Sequence, residues 1–219
     1  MEQTTNFNAR SPFVLALDVG TSSTRAMLFD ATGATVPGTE MQEKYELTTS
    51  SEGEVSVDAD KLVAVVVSTI DKAIQAAGSR TSSIAAVATD TFWHSLVGVD
   101  AAGHPLTPVI TWEDTRPRQA AAELSKQLDS QAIHQRTGAR LHASYWPAKM
   151  RWLATTQPEV FKQVAHWLSF GEYLHRQLLG NAVCSLSMAS GTGMLGIRTR
   201  QWDRELIEAL GVRVEQFPA

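Results

Sequence analysis

A second cysteine is missing. Cys184 is the only one in 219 residues, so no disulfide can close within the chain and nothing in its cysteine usage calls for an oxidising compartment. An excess of charge is missing too: 19 basic against 23 acidic residues leave a formal net charge of -4, with no basic footprint for nucleic acid or an anionic membrane surface. Long hydrophobic runs are absent. Those present, such as "LVAVVV" at 62–67, fall far short of the roughly 20 residues that cross a bilayer, and "MEQTTNFNARSP" lacks the basic patch and apolar stretch of a signal peptide. The expectation is a cytoplasmic protein with neither a nucleic-acid nor a membrane partner. Repeats, low-complexity tracts and charge runs are also lacking, and His104, His134, His142, His166 and His175 show no metal-ligand spacing, which argues against a zinc site.

What is present can fill a core. Hydrophobic residues make up 43% of the chain, enough at this length for one large domain or two small ones. "FVLALD" and "TRAMLFD" predict two strands joined by the tight connection "VGTSS", and "ATGATV" turns the chain into a third extended stretch, completing an antiparallel meander. Between Asp58 and Gly78, Leu62, Val66, Ile70 and Ile74 recur at helical spacing behind a capping aspartate, and Gly78 suits a left-handed stop. "SIAAVATD" is continuously apolar, the pattern of a strand covered by helices on both faces. Two extended pieces flank "DAAG", and a helix over "RPRQAAAELSKQL" accepts Pro117 at its start. From Gln131 to Gly180 the pattern is mostly helical, broken at "RTGARLHASYWP" and "TTQP", and reads as a helical insertion. Extended structure is expected again over "AVCSLSMASGTGMLGI", and a last helix, "DRELIEAL", stops at Gly211. Residues 1–12 are expected to form a disordered tail before a domain over 13–219.

The chemistry concentrates in three places. Near the start, an apolar strand ends on Asp18, passes through Gly20, Thr21, Ser22 and Ser23, and resumes as a strand. P-loops and dinucleotide fingerprints follow their glycine turn with a helix N-terminus. With a strand there instead, phosphate ligands have to be the turn's own amides, which form an anion nest when small residues leave the backbone uncovered. Thr21, Ser22 and Ser23 add hydroxyls, Arg25 adds a cation that either touches the phosphates or braces the turn, and Asp18 suits a hydrated magnesium ion. The same residues also make an ordinary hairpin. "WEDTR" sets Asp114 and Arg116 two apart beside Trp112, a spacing that grips vicinal hydroxyls or, equally, caps a helix start with a local ion pair. Trp93 and His94 lie between two predicted strands, where such residues serve either a ligand or the core.

"LALDVGTSSTRAMLFD" resembles the first phosphate motif of the FGGY carbohydrate kinases, members of the actin, hexokinase and heat-shock ATPase superfamily. Three further segments resemble family elements in the family's order. "HSLVGVDAAGHPLTPVITWEDTR" carries the Trp-x-Asp-x-Arg element, "PAKMRWL" the Lys-x-x-Trp helix with Lys149 and Trp152, and "SMASGTGMLGIRTRQWDREL" the segment that closes the amino-terminal domain. The resemblance implies an α/β, ribonuclease H-like (actin-like ATPase) domain with a mixed central sheet flanked by helices and a helical insertion. It also implies ATP and Mg2+ as cofactors and transfer of the γ-phosphate to a sugar or sugar acid. Asp18 would then be the metal-side acid, Gly20, Thr21, Ser22, Ser23 and Arg25 would meet the phosphates, and Trp93, His94, Trp112, Asp114 and Arg116 the substrate.

"FWHS" departs from the Arg-Glu pair of glycerol kinases and shares its histidine with the xylulose and gluconate branches, so a gluconate-like or xylulose-like substrate is implied. Thr192 serves either the interdomain cleft or only its turn, and Tyr145 and Trp146 lie one residue off the family's substrate-facing aromatic. The family's general base belongs to a carboxyl-terminal domain. On this resemblance the chain holds no catalytic base, has negligible activity alone, and has that missing domain as its partner. An apolar face left uncovered would favour a homodimer. The alternative is a non-catalytic sugar- or nucleotide-binding module of the same fold.

Overall fold

The computed structural model describes residues 9–218. Its strands, in chain order, are β1 (Phe13–Val19), β2 (Ser23–Phe29), β3 (Met41–Lys44), β4 (Thr48–Thr49), β5 (Val55–Val57), β6 (Ile84–Thr91), β7 (Val97–Val99), β8 (Val109–Ile110), β9 (His166–Leu168), β10 (Leu195–Gly196) and β11 (Gln201–Trp202). The helices are α1 (Ala59–Ala77), α2 (Arg118–Gln127), α3 (Ser130–Thr137), α4 (Trp146–Thr156), α5 (Pro158–Gln163), α6 (Phe170–Leu179), α7 (Leu186–Gly191) and α8 (Arg204–Leu210). Contacts divide the chain into two units, one running up to Glu46 and including Leu62–Thr91, the other formed by Leu47–Lys61 with the chain from Phe92 onward.

The first unit is a mixed sheet in the order β3-β2-β1-β6, antiparallel except that β6 runs parallel to β1. Alternation gives it one apolar face. Leu15 stands opposite Leu28 and Leu17 opposite Ala26, all buried. Helix α1 lies on that face: the Thr24 and Thr69 hydroxyls are hydrogen-bonded, and Glu43 accepts from Ser68 at 2.7 Å and pairs with Lys72 at 2.8 Å. The buried stripe of α1 is Leu62, Val66, Thr69, Ala73 and Ala77 rather than the predicted Leu62, Val66, Ile70 and Ile74. Each step of four residues overshoots a 3.6-residue turn by about 40°, so the predicted row winds off the sheet and leaves Ile74 36% exposed. Each fully buried leucine or valine on this face contributes about 1.5–3 kcal/mol. By length and composition the 25 residues Ala59–Ser83, mean hydropathy 1.3, would also suffice to cross a membrane. Here the buried stripe is spent on the sheet. The helix stops at Gly78, φ 56°, as the sequence predicts, but a 3-10 turn over Gly78–Ser83 follows it.

Strand β6 departs from expectation. "SIAAVATD" reads as covered on both faces, yet β6 is the sheet edge and Ala85 to Asp90 are exposed, Val87 by 58%. An apolar run is buried only where a layer lies over it, and among the described residues none does. Of the predicted tail, residues 1–8 lie outside the described residues. Arg10 is held, its N–H donating to Asp30 at 3.2 Å and its carbonyl accepting from Ala31 at 2.9 Å.

Asp30 closes the turn after β2. Its carboxylate accepts from the Thr32 hydroxyl at 2.6 Å and from the N–H groups of Thr32, Ala34 and Arg10. The Thr32 hydroxyl, followed by these amides, pulls its pKa from 3.8 to about 2 against the opposing effect of burial. Because the folded carboxylate titrates below the unfolded one, ionised Asp30 stabilises the fold above about pH 4, and that contribution fades as pH falls through about 2. Chemical denaturation between pH 2 and pH 5 should therefore show a shallower loss of stability for Asp30→Asn than for the parent. Parallel curves would mean that the turn is held by its backbone alone.

The second unit packs around Trp146, fully buried and stacked 6.4 Å from Trp202 and 6.2 Å from Phe217, with Leu96, Ile110, Leu124, Met150 and Leu206 in the same cluster. The sequence misses β9, which breaks the helical insertion and pairs with β7, Val97 opposite Leu168. Helix α7 also replaces extended structure expected over 182–197. Ser185 caps it by accepting from the Met188 N–H at 3.0 Å, and only Leu195–Gly196 remains extended. The last helix is as read: Asp203 caps α8 through the Leu206 N–H at 3.1 Å, and Gly211 ends it in the left-handed conformation.

Candidate functional site

In the first unit the predicted phosphate residues form the β1–β2 hairpin. Asp18 is exposed at the end of β1, with Arg25 across on β2 and Asp90 beside it on β6. A groove of about 310 Å³ runs along this face, lined by Asp18, Arg25 and Asp90 over an apolar floor that includes Ala16 and Met27. Arg25 lies 3.7 Å from Glu40, and its Nε is buried without a hydrogen-bond partner. The Gly20 N–H donates to the Ser23 carbonyl at 3.0 Å and its carbonyl accepts from the Tyr45 hydroxyl, so this amide closes the turn and is not offered to a ligand. Among the described residues the amides of Thr21 and Ser22 make no hydrogen bond. The Ser23 hydroxyl accepts from Gln42 at 3.0 Å.

In the second unit Trp93 and His94 meet Tyr145 and α7. Trp93 is 46% exposed, its ring edge-on to His94 at 5.8 Å, and the imidazole is edge-on to Tyr145 at 4.8 Å. A Cβ at Gly191 would stand 3.3 Å from the indole, so the glycine lets Trp93 lie against α7. The His94 Nδ1 bonds the Gly191 carbonyl. A carbonyl only accepts, so Nδ1 carries the proton and Nε2 of the neutral ring is the acceptor. Burial lowers the imidazole pKa, the Gly191 bond opposes this and the Lys149 charge adds to it, which keeps the ring neutral at pH 7. His94 also has φ 63°, a left-handed conformation that costs a non-glycine residue about 1–3 kcal/mol.

The "WEDTR" residues are arranged differently from one another. Trp112 is 46% exposed, and its carbonyl accepts from Ser144 at 2.8 Å. Asp114 is buried, its carboxylate accepting from the N–H of Val55 at 3.1 Å, from the N–H of Arg116 at 3.0 Å, and from the guanidinium at 2.6 and 3.1 Å. Arg116 also pairs with Glu54 at 3.2 Å and lies over the Trp152 ring at 4.5 Å. Acid and base are thus engaged with each other and with the protein. Thr192 is buried and spends its hydroxyl on its own turn.

Sequence reasoning did not single out Lys149 as part of this arrangement, though it lies in a quoted motif. It is fully buried, its ammonium donating to the carbonyls of His94 and, at 3.2 Å, Ile110. Burial pulls its pKa down to about 7 against the attraction of Asp114. Tyr145 lies one residue off the family's aromatic in sequence, and only its contact with His94 marks it as part of this corner. A larger groove of about 1340 Å³, where Arg136 pairs with Asp203 and Glu205, holds none of the predicted residues.

Comparison with known proteins gives a consistent result. The model of the FGGY family of carbohydrate kinases, N-terminal domain, matches residues 13–219. The chain is 26% identical over 200 residues to a gluconokinase from Bacillus subtilis (strain 168), covering 91% of this chain and 38% of that protein. It is 32% identical over 218 residues to a glycerol kinase from Polaromonas sp. (strain JS666 / ATCC BAA-500), covering 94% and 42%. The crystal structure of ligand-bound xylulose kinase from Lactobacillus acidophilus superposes with a TM-score of 0.88 at 30% identity, over 94% of this chain and 41% of that one. The chain therefore spans about 40% of the length of the relatives it matches.

Proposed function

The chain belongs to the FGGY family of carbohydrate kinases, and from that premise we propose that it is the amino-terminal part of a cytoplasmic enzyme that transfers the γ-phosphoryl group of ATP to a hydroxyl of a gluconate-like or xylulose-like substrate. The loose, highly charged transition state of phosphoryl transfer leaves the protein mainly positioning and charge neutralisation to supply. The observation that carries the phosphate side is Gly20. Its φ is not left-handed, and the nearest atom to a Cβ there would be the Ser23 carbonyl oxygen at an ordinary 3.6 Å. Nothing among the described residues demands glycine at this position, and close approach of a phosphate to the turn accounts for it. The amides and hydroxyls of Thr21 and Ser22 are the donors on offer, with Ser23 and Arg25 beside them.

Magnesium fits this end of the groove. An exposed carboxylate with a second one in register supplies the hard oxygen ligands that Mg2+ takes while keeping several waters. Asp18 would hold the ion, which supplies charge neutralisation for the phosphates. On the sugar side, the half-exposed indoles of Trp93 and Trp112 offer apolar faces, and His94 Nε2 accepts from a substrate hydroxyl. Asp114 and Arg116 act behind Trp112, holding the segment that carries it. The general base and the adenosine pocket are assigned to the remainder of the protein. The exposed apolar edge of β6 supports a further layer over that edge. The comparisons do not favour the non-catalytic module.

The test is a coupled ATP-consumption assay of the full-length protein over a panel of sugars and sugar acids. Saturable turnover with gluconate or xylulose is expected, and Trp93→Ala should raise the KM of that substrate about tenfold while KM for ATP stays within about twofold. No turnover with any carbohydrate would reject the reading. An unchanged sugar KM would remove Trp93 from the site.

A further inference from the structure

We propose that Lys149 is the positioning residue of the sugar-facing corner, holding the His94 backbone in its left-handed conformation from behind so that Trp93 and the His94 imidazole keep their places. The inference rests on the sugar-binding reading of that corner. Its support is geometric. Lys149 is fully buried on α4 and gives its ammonium hydrogens to the carbonyls of His94 and Ile110. Ile110 is itself anchored, exchanging both backbone hydrogen bonds with Leu96 at 2.9 and 3.0 Å. The lysine thus ties a strained residue to a fixed one.

The neighbouring residue is held in the same way. The Ser95 carbonyl accepts from the Trp146 indole at 2.7 Å, and its hydroxyl accepts from the Phe170 N–H at 3.0 Å. On the other side His94 is held through Nδ1 to Gly191 and by the edge of Tyr145, while Trp93 remains half exposed. Burying an ammonium is costly, and an apolar side chain of similar length would fill the same volume without that cost. A lysine that spends its hydrogen bonds on two main-chain carbonyls is explained by the conformation it enforces. Without it His94 can relax to an ordinary φ, which swings both its imidazole and the adjoining indole out of register.

The experiment uses the full-length protein with Lys149→Met, which keeps the length and removes the donors, and Lys149→Gln, which keeps N–H donors without charge. The groups facing His94 are Lys149 and Tyr145 on the α4 side, with Asp114 acting on the lysine. For Lys149→Met the sugar KM should rise at least tenfold while KM for ATP stays within twofold, and the His94 imidazole, followed by NMR, should titrate at higher pH. Lys149→Gln should recover part of the sugar KM, and it decides the matter alone if the methionine variant does not fold, by whether its sugar KM lies closer to the parent than to a Trp93→Ala variant. A purely structural lysine would lower the thermal midpoint and the active fraction but leave the sugar KM unmoved, whatever the loss of its charge does to the His94 titration, and that result overturns the proposal. If the parent protein phosphorylates no sugar, the sugar reading fails on its own, and the NMR shift of the His94 ring at about pH 9, where Lys149 and the imidazole are both uncharged in the parent, still reports on the clamp: an unchanged shift in Lys149→Met overturns it.

Discussion

Asp18→Ala in the full-length protein should lower turnover by about 10³-fold or more while leaving the sugar KM within about twofold. The size of the effect follows from the reaction. In phosphoryl transfer the charge to be neutralised builds on the transferring group, so a lost metal-side carboxylate is felt most in the transition state and hardly in sugar binding. The structure allows a clean reading, because Asp18 is exposed at the end of β1 and fills no core. Replacing it should shift stability by no more than about 0.5 kcal/mol. Steady-state kinetics varied separately in sugar and in ATP, with a thermal melt as control, decide the matter. A parallel rise in sugar KM would place Asp18 on the wrong substrate, and unimpaired turnover would dissolve the phosphate-side assignment altogether.

The hairpin was legible because its message is local. A strand that ends on an acid, passes through small residues and resumes as a strand fixes both the turn and the absence of a following helix, and β1 and β2 follow it. The stop of the last helix at Gly211 was legible for the same reason. Strand β6 was not, since "SIAAVATD" records a preference for burial without recording what does the burying. Helix α7 was hidden by small residues that suit a turn, a strand or a capped helix equally well. The proposed substrate side is legible as residue types and illegible as geometry. Trp93 and His94 stand out in the sequence as candidates, but His94's left-handed φ and its bond to Gly191, 97 residues away, are tertiary facts. Lys149 was the least readable, because a lysine on a helix ordinarily faces water and nothing in "PAKMRWL" announces a buried one.

The second large effect belongs to Asp114, which sequence spacing offers as a sugar ligand. Asp114→Ala should destabilise the protein by about 3–5 kcal/mol, the range for removing one partner of a buried ion pair, and lower the thermal midpoint by about 10 °C. The side chain is 0% exposed, and three groups depend on it. Arg116 loses its forked partner and keeps only Glu54 and the face of Trp152, the Val55 N–H loses its acceptor, and Lys149 loses the nearby charge that favours its protonated form. Arg116→Ala should cost less, because Asp114 would keep the backbone donors of Val55 and Arg116. A sugar-gripping Asp114 would behave oppositely: the alanine variant would fold with near-parental stability and lose sugar affinity. Thermal melts of the two variants beside the parent, with and without a saturating sugar, therefore separate the two roles. An Asp114→Ala midpoint within about 2 °C of the parent would show that the carboxylate is available to a substrate after all.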